Sequence, residues 1–273
     1  MQIRQALVRA RELGVARLDT QLLLSHLLKR PREWLLAHDD EALTRTQAAE
    51  LQSLLTRRAA GVPLAYLVGE REFHGLLLQV TPAVLVPRPE TEVLVGWALE
   101  LLGGMSGACV VDLGTGSGAI ALALKRACPT AQVAASDNSG AALAVARSNA
   151  LAHALDIEFT LGDWWLPWTL RHFDLAVANP PYVAGEDPHL AALAHEPRSA
   201  LTPEGDGLDA LYRIIEGSPD HLRPGAWLLL EHGHDQACAV SARLAQRGFV
   251  SVQTRPDLAG QARCTGASWS GAK

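Results

Sequence analysis

The stretch VVDLGTGSGAIAL, residues 110–122, restricts the fold more than any other part of the chain. A short apolar run, ACVVDL (108–113), leads into three closely spaced glycines, Gly114, Gly116 and Gly118, and then into the helical pattern AIALALKRA (119–127). Glycines at a strand-to-helix turn permit positive φ and leave no Cβ between the backbone and a ligand. Further apolar runs follow at QVAASD (132–137), IEFTL (157–161), FDLAVAN (173–179) and AWLLLEHG (226–233). Helical stretches at 141–154, 207–222 and 235–247 separate them, and two closing strands are expected near 249–254 and 264–269. Strands alternating with helices predict an α/β fold, a mainly parallel sheet with helices on both faces and ligands at the carboxyl ends of its strands.

The chain ahead of this region reads differently. Residues 1–60 hold one glycine, Gly14, and one proline, Pro31, and their apolar positions recur at helical spacing in LDTQLLLSHLL (18–28), with Asp19 and Thr20 as expected caps. This predicts a small helical domain over 1–60. Residues 61–92 are richer in glycine, proline and β-branched residues, and FHGLLLQV (73–80) reads as a hairpin, so this segment is taken as a connector to a domain over 93–273. No apolar run reaches the length of a membrane span. The Arg-rich N-terminus contains Glu12 and reads as a first helix, not a transit peptide.

Composition narrows the function. A net charge of −5 argues against a protein whose main task is to grip nucleic acid. The four cysteines, Cys109, Cys128, Cys238 and Cys264, have neither metal-ligand nor disulfide spacing, which suits a reducing, cytoplasmic setting. His232 and His234 resemble a metal pair but lack further ligands at suitable spacing, so no metal is expected.

The glycine loop alone leaves the ligand open. Gly114-x-Gly116-x-x-Ala119 satisfies a dinucleotide fingerprint, and Asp137 stands where a carboxylate accepts ribose hydroxyls. Asp112 is placed to brace the loop or meet a cation. Asp163 and Trp164, after the third strand, offer a carboxylate and an indole to an adenine edge and face. With Trp165 and Trp168 close by, the alternative for Trp164 is a hydrophobic plug. A cationic sulfonium nucleoside, S-adenosylmethionine, suits these groups better than a pyrophosphate. Asp112, Gly114, Thr115, Gly116, Ser117, Gly118, Asp137, Asp163, Trp164 and Asn179 are thus the expected cofactor residues.

The stretch ANPPYV (178–183) gives the chemistry. A planar amide or exocyclic amino nitrogen is a poor nucleophile, and in-line attack on a methyl needs its N–H groups held by acceptors. The Asn179 side-chain carbonyl and the Pro180 main-chain carbonyl supply two such acceptors. Pro180 and Pro181 stiffen the corner, and Tyr182 flanks a planar substrate group. Asn179, Pro180 and Tyr182 are the expected catalytic residues, and with Pro181 they are the expected substrate contacts. A nicotinamide oxidoreductase leaves this corner without a task.

Together DLGTGSGAIALAL, Asp137, GDWW and NPPYV resemble the class I AdoMet-dependent methyltransferases acting on planar nitrogen, a Rossmann-like domain with a seven-stranded sheet. Over nearly its whole length the chain resembles the HemK-type release-factor glutamine N5-methyltransferases. That resemblance rests on LDTQLLLSHLL, PLAYLVGEREFHGLLLQV, VLVPRPETE, HEPRSAL, LLLEHG and DLAG-x-x-R. It implies methyl transfer from S-adenosylmethionine to the glutamine of the Gly-Gly-Gln motif of class I peptide-chain release factors, with the helical domain and hairpin holding the factor; a two-domain monomer is the default expectation. Alternatives are a glutamine methyltransferase of a ribosomal protein, or one acting on DNA or RNA amino groups. Arg88 and Glu90 are expected either close to the cofactor or as an interdomain ion pair. Glu231 is expected to anchor the fifth strand's end.

Overall fold

The computed structural model describes residues 1–271 and divides into two compact units, Met1–Glu70 and Arg71 onward. The first unit is built from α1 (Ile3–Glu12), α2 (Arg17–Leu28), α3 (Arg32–Ala37), α4 (Arg45–Ala59) and α5 (Leu64–Val68). Its core gathers Ile3, Ala6, Leu23, Leu24, Leu35, Leu51 and Leu55. α4 opens with a reciprocal capping box in which Thr44 accepts from the Gln47 N–H and the Gln47 side chain accepts from the Thr44 N–H. The expected caps of α2 are corrected: the helix begins at Arg17, after Ala16. Thr20 is buried and turns its hydroxyl back to the Ala16 carbonyl at 3.0 Å, while Asp19 pairs with Arg58 at 2.8 Å. A longer-range ion pair and a back-bonded hydroxyl took the two side chains that local pattern had assigned to capping.

A hairpin, β1 (Glu70–Phe73) and β2 (Leu76–Gln79), starts at the last residue of the first unit and is followed by α6 (Glu92–Leu102). The alternating part then runs β3 (Cys109–Leu113), α7 (Ala119–Ala127), β4 (Gln132–Asp137), α8 (Gly140–Ala152), β5 (Glu158–Leu161) and β6 (Phe173–Ala178). It closes with α9 (Asp209–Gly217), β7 (Leu222–Glu231), α10 (Ala237–Gln246), β8 (Phe249–Pro256) and β9 (Ala262–Trp269).

One seven-stranded sheet results, in the order β5-β4-β3-β6-β7-β9-β8. β5 through β7 pair in parallel, and β9 runs antiparallel to both β7 and β8. Strand side chains alternate between two cores, as the period of two requires. Val110, Val133, Val177 and Leu229 face α6, α7 and the hairpin residues Phe73, Leu76 and Leu78. Val111, Ala134, Ala176 and Leu228 face Leu211 and Ile214 of α9 and Val240 and Leu244 of α10. Helices therefore cover both faces, and the strand order reverses between β3 and β6, where parallel sheets open a crevice at their carboxyl ends.

Among the described residues no helix is long and apolar enough to cross a membrane, and no cluster of metal-ligating side chains occurs.

Candidate active site

Register places the key residues side by side. Leu113 of β3 pairs with Ser136 of β4 and Ala178 of β6, and Ala178 pairs in turn with Leu230 of β7. One residue further along each strand stand Gly114, Asp137, Asn179 and Glu231, aligned across the top of the sheet. Three of them, Gly114, Asp137 and Asn179, line a cavity of about 320 Å³, the size of a small-molecule site.

The glycine loop makes the cavity floor. The N–H groups of Gly114 and Thr115 both bond the Ser136 carbonyl, at 2.8 and 2.9 Å, and Gly116 N–H donates to Asp137 Oδ2 at 2.8 Å. Gly118 shows why the last glycine is needed. Its φ is +85°, and a Cβ there would stand 2.4 Å from Leu122 Cδ1 and 3.2 Å from Ala146 Cβ, so a side chain there is strained and both Leu122 and α8 would have to give way. Asn149 of α8 fixes the loop from outside. It is buried, accepts from the Gln79 N–H at 2.7 Å, and donates to the carbonyls of Gln79 and Ser117 at 3.0 and 2.9 Å.

The expected cofactor residues divide. Gly114, Thr115, Gly116, Ser117, Asp137, Asp163, Trp164 and Asn179 line the cavity, whereas Gly118 and Asp112 do not. Asp112 lies fully buried beneath the loop, where Oδ2 accepts from the Thr115 hydroxyl at 2.6 Å and the Ala121 N–H at 3.2 Å. Burial pushes its carboxyl up to about 7, against the pull of those two bonds and with help from the Asp137 charge. Its other oxygen, Oδ1, has no partner. Asp137 accepts one N–H on each oxygen, from Gly116 and Ser139, and burial raises its pKa too.

The three tryptophans after β5 separate into different roles. Trp165 donates to the Ile214 carbonyl at 2.8 Å and Trp168 to the Ser136 hydroxyl at 3.2 Å, so both are satisfied core residues. Trp164 has a φ of +45°, a left-handed conformation that costs about 1 kcal/mol or more for a bulky residue. Its ring lies over Gly114, with Cζ3 only 3.0 Å from where a Cβ would be, and its indole N–H is buried without a partner. A strained backbone and an orphaned donor at a cavity wall are features of a ligand site. Asp163 is ion-paired with Arg213.

At the NPPY corner, Asn179 and Pro181 line the cavity, but Pro180 and Tyr182 do not. Asn179 Nδ2 donates to the Thr91 hydroxyl at 3.1 Å. Tyr182 is half-buried and its hydroxyl donates to Glu231 Oε1 at 3.3 Å. Burial, then the Glu231 charge, holds the Tyr182 phenol above its ordinary range, so it stays protonated as a donor.

Of the other wall, sequence reasoning assigned only Arg88. Pro197, Ser199 and Ala200 line it together with Val84, Leu85 and Arg88. The partner of Arg88 is Glu196, not Glu90, which is exposed. Glu196 is buried and also accepts from the Val86 N–H at 3.0 Å, which ties the segment before α6 to the segment after the NPPY corner. The signal was present in HEPRSAL, a lone acidic residue before a proline, but nothing local told which cation it meets. His232 is a buried structural residue, with Nε2 2.7 Å from the Thr265 hydroxyl and its pKa lowered by burial.

Known proteins resemble this chain. Residues 2–69 match the model of the PrmC N-terminal domain and residues 96–208 that of the methyltransferase small domain. A release factor glutamine methyltransferase of Bordetella pertussis is 50% identical over 257 residues, covering 93% of this chain and 95% of that protein. One of Xylella fastidiosa is 48% identical over 263 residues, covering 95% and 96%. The fold is also that of a Thermus thermophilus 16S rRNA methyltransferase solved in complex with AdoMet and guanosine, with a TM-score of 0.56 at 21% identity over 73% of this chain and 49% of that one. With both domain models matched and about half of all residues shared end to end with such relatives, this chain belongs to the family of release factor glutamine methyltransferases.

Proposed function

We propose that the protein transfers a methyl group from S-adenosylmethionine to the side-chain amide nitrogen of the glutamine in the Gly-Gly-Gln motif of class I peptide-chain release factors. The observation that carries this reading is the Asn179 carboxamide. Its nitrogen is engaged by Thr91, so its oxygen is the atom left to meet a planar N–H group in the cavity. The near full-length similarity to release factor glutamine methyltransferases names the acceptor.

The cofactor fits the residues present. The orphaned Trp164 N–H, the Cβ-free loop and the carboxylate of Asp137 offer a donor, close backbone approach and a ribose acceptor. When bound, S-adenosylmethionine supplies an electrophilic methyl on a sulfonium. The Asn179 oxygen and the Pro180 carbonyl accept the two N–H groups of the glutamine amide and orient the nitrogen, which is worth far more than basicity for a delocalised nucleophile. Tyr182, tethered through its hydroxyl, flanks the amide plane. The methylated nitrogen is strongly acidic and gives its proton to water without a dedicated base. The helical unit holds the release factor in this reading, and the enzyme acts as a monomer, which the lining of the cavity by one chain supports. Its free cysteines and a translation-factor substrate suit a cytoplasmic enzyme that needs no nucleic acid.

The deciding test supplies labelled S-adenosylmethionine with a release factor, the same factor with its Gly-Gly-Gln glutamine replaced, a ribosomal protein, and duplex DNA. Label is expected on the unaltered release factor only. Label on the ribosomal protein or the DNA, and none on the factor, overturns the acceptor.

Cofactor affinity should depend on pH. Burial raises the pKa of both Asp112 and Asp137, and a sulfonium cation nearby favours their charged forms. Binding then lowers these pKa values and releases protons, so affinity rises with pH, for Asp112 through the neutral range. A drop of about one pKa unit corresponds to roughly tenfold tighter binding of S-adenosylmethionine at pH 8 than at pH 5.5. The uncharged-sulfur product, S-adenosylhomocysteine, should show a weaker trend. Titration calorimetry on both compounds checks this, and identical pH trends would remove the carboxylates from the explanation.

A further inference from the structure

We propose that Asn149 couples strand β2 of the hairpin to the glycine loop, and is thereby a positioning residue for the cofactor although it does not line the cavity. This rests on the reading of the cavity as the S-adenosylmethionine site. It goes beyond that reading by making cofactor affinity answer to how firmly β2 is held.

One edge of β2 is taken up by helix side chains. In an antiparallel ribbon every second residue points its N–H and C=O away from the partner strand. Gly75, Leu77 and Gln79, two apart along the chain, each give such a carbonyl to a helix. Arg126 of α7 donates to Gly75 at 3.2 Å, His153 of α8 to Leu77 at 2.9 Å, and Asn149 of α8 to Gln79 at 3.0 Å. The first two bonds lie at the surface. The third comes from a buried side chain, since Asn149 is 1% exposed.

A carboxamide has one acceptor oxygen and two N–H hydrogens, and Asn149 uses all of them. Oδ1 accepts the Gln79 N–H at 2.7 Å. One Nδ2 hydrogen returns to the Gln79 carbonyl, and the other goes to the Ser117 carbonyl at 2.9 Å. The side chain therefore pairs with Gln79 as a neighbouring strand would, with one donor left to hold the glycine loop. An aspartate of the same length lacks both donors, and a leucine lacks donor and acceptor alike. The partners also settle how the amide stands, because a backbone N–H must meet its oxygen and the two carbonyls its nitrogen.

Both ends of this bridge reach the cavity. Ser117 lines it directly, and shortly after Gln79 the chain enters the wall with Pro82, Ala83 and Val84. Asn149 thus sets the spacing between the floor and that part of the wall. A ligand that fills the space favours the bridged arrangement, and linkage then requires that loosening β2 weaken the ligand to the same extent. A two-stranded hairpin has little stability of its own, so losing a buried polar anchor is felt along the strand.

The test is a double-variant cycle read as S-adenosylmethionine affinity by calorimetry, with no release factor present. Asn149→Ala should raise Kd about tenfold, the scale of one or two lost hydrogen bonds. Gln79→Pro deletes the N–H that Asn149 accepts, at a strand edge where proline is tolerated, and leaves the Ser117 bond in place. It should raise Kd about threefold, which a role confined to the glycine loop would not predict. The double variant should bind no more weakly than Asn149→Ala, because both changes cut the same link. In turnover, KM for S-adenosylmethionine should follow Kd while kcat stays within about threefold. In wild type, saturating cofactor should slow exchange of the Gln79 amide hydrogen about tenfold more than that of the β8 amides, at the far edge of the sheet. Wild-type affinity in Gln79→Pro, full additivity in the double variant, or a Gln79 amide indifferent to cofactor overturns the inference. A wild type that binds no S-adenosylmethionine overturns the cofactor reading and this inference together. Coupling without methylation of a release factor upholds the inference and removes only the acceptor. The exchange measurement needs no variant, so it stands should either one fail to fold.

Discussion

Asn179→Ala lowers turnover by about a thousandfold while leaving S-adenosylmethionine affinity within about threefold, as expected for loss of a preorganised acceptor at the reacting atom. The size follows from what the side chain does. An amide nitrogen becomes nucleophilic only when its N–H groups are held and its lone pair is aimed, and Asn179 supplies one of two acceptors for that purpose. Truncation removes the acceptor and also releases Thr91 from its 3.1 Å bond. The cofactor keeps the glycine loop, Asp137 and Trp164, which line the rest of the cavity. Single-turnover kinetics with a release factor, alongside calorimetric titration of the cofactor, separates the two effects. A large loss of cofactor affinity with an unchanged chemical step would reassign Asn179 from catalysis to cofactor binding.

The second large effect lies at a residue far from the corner in sequence. Gly207 has a φ of +81°, and a Cβ there would stand 2.2 Å from the Tyr182 carbonyl oxygen and 3.0 Å from Gln236 Nε2, which itself donates to that carbonyl at 2.9 Å. The obstacle is backbone, so no rotamer change relieves it. Gly207→Ala should destabilise the protein by about 3 kcal/mol, from the left-handed conformation and the forced displacement together. It should also cut turnover at least roughly a hundredfold, since a shift of about 1 Å at the corner spoils the alignment of the reacting atoms. Gly205→Ala is the control. Its φ is +58° with nothing within 4 Å of the added Cβ, so only the conformational cost of about 1 kcal/mol applies. Urea denaturation and kcat measured on both variants give the comparison. Equal behaviour of the two would show that the Tyr182 backbone is not held where Gly207 meets it.

The parts of this fold that were legible share one property: their signal is local. The glycine turn, the strands at 109–113 and 132–137 and the helix at 119–127 follow from short-range periodicity and from residues that permit only certain backbone angles. The NPPY corner at the carboxyl end of β6 was legible for the same reason. What stayed hidden depends on side chains that meet only after folding. Thr91 looks like an ordinary helix-entry threonine until folding brings its hydroxyl to the Asn179 side chain, and Glu231 like a strand-ending acid until Tyr182 donates to it. Arg88 had a nearby acid in sequence, Glu90, and took a distant one, Glu196. Trp164 could be told from Trp165 and Trp168 only by its unsatisfied N–H and its backbone angle. The irregular run ARCTGASW gave no indication that it lies between β7 and β8.

That last placement bears on how the chain is made. β8 is synthesised before β9 yet reaches the sheet only through it, so a nascent chain emerging from a ribosome carries β7 with an open edge until β9 follows. Arg263 and Thr265, which steady Glu231 and His232, arrive on that same late strand. A chain interrupted after β8 would hold an intact glycine loop beside an unpaired, apolar strand, the kind of edge that recruits other chains. Quality control would thus meet such a product as an aggregation hazard, and the strand beside Glu231 would be the last part of the sheet to assemble.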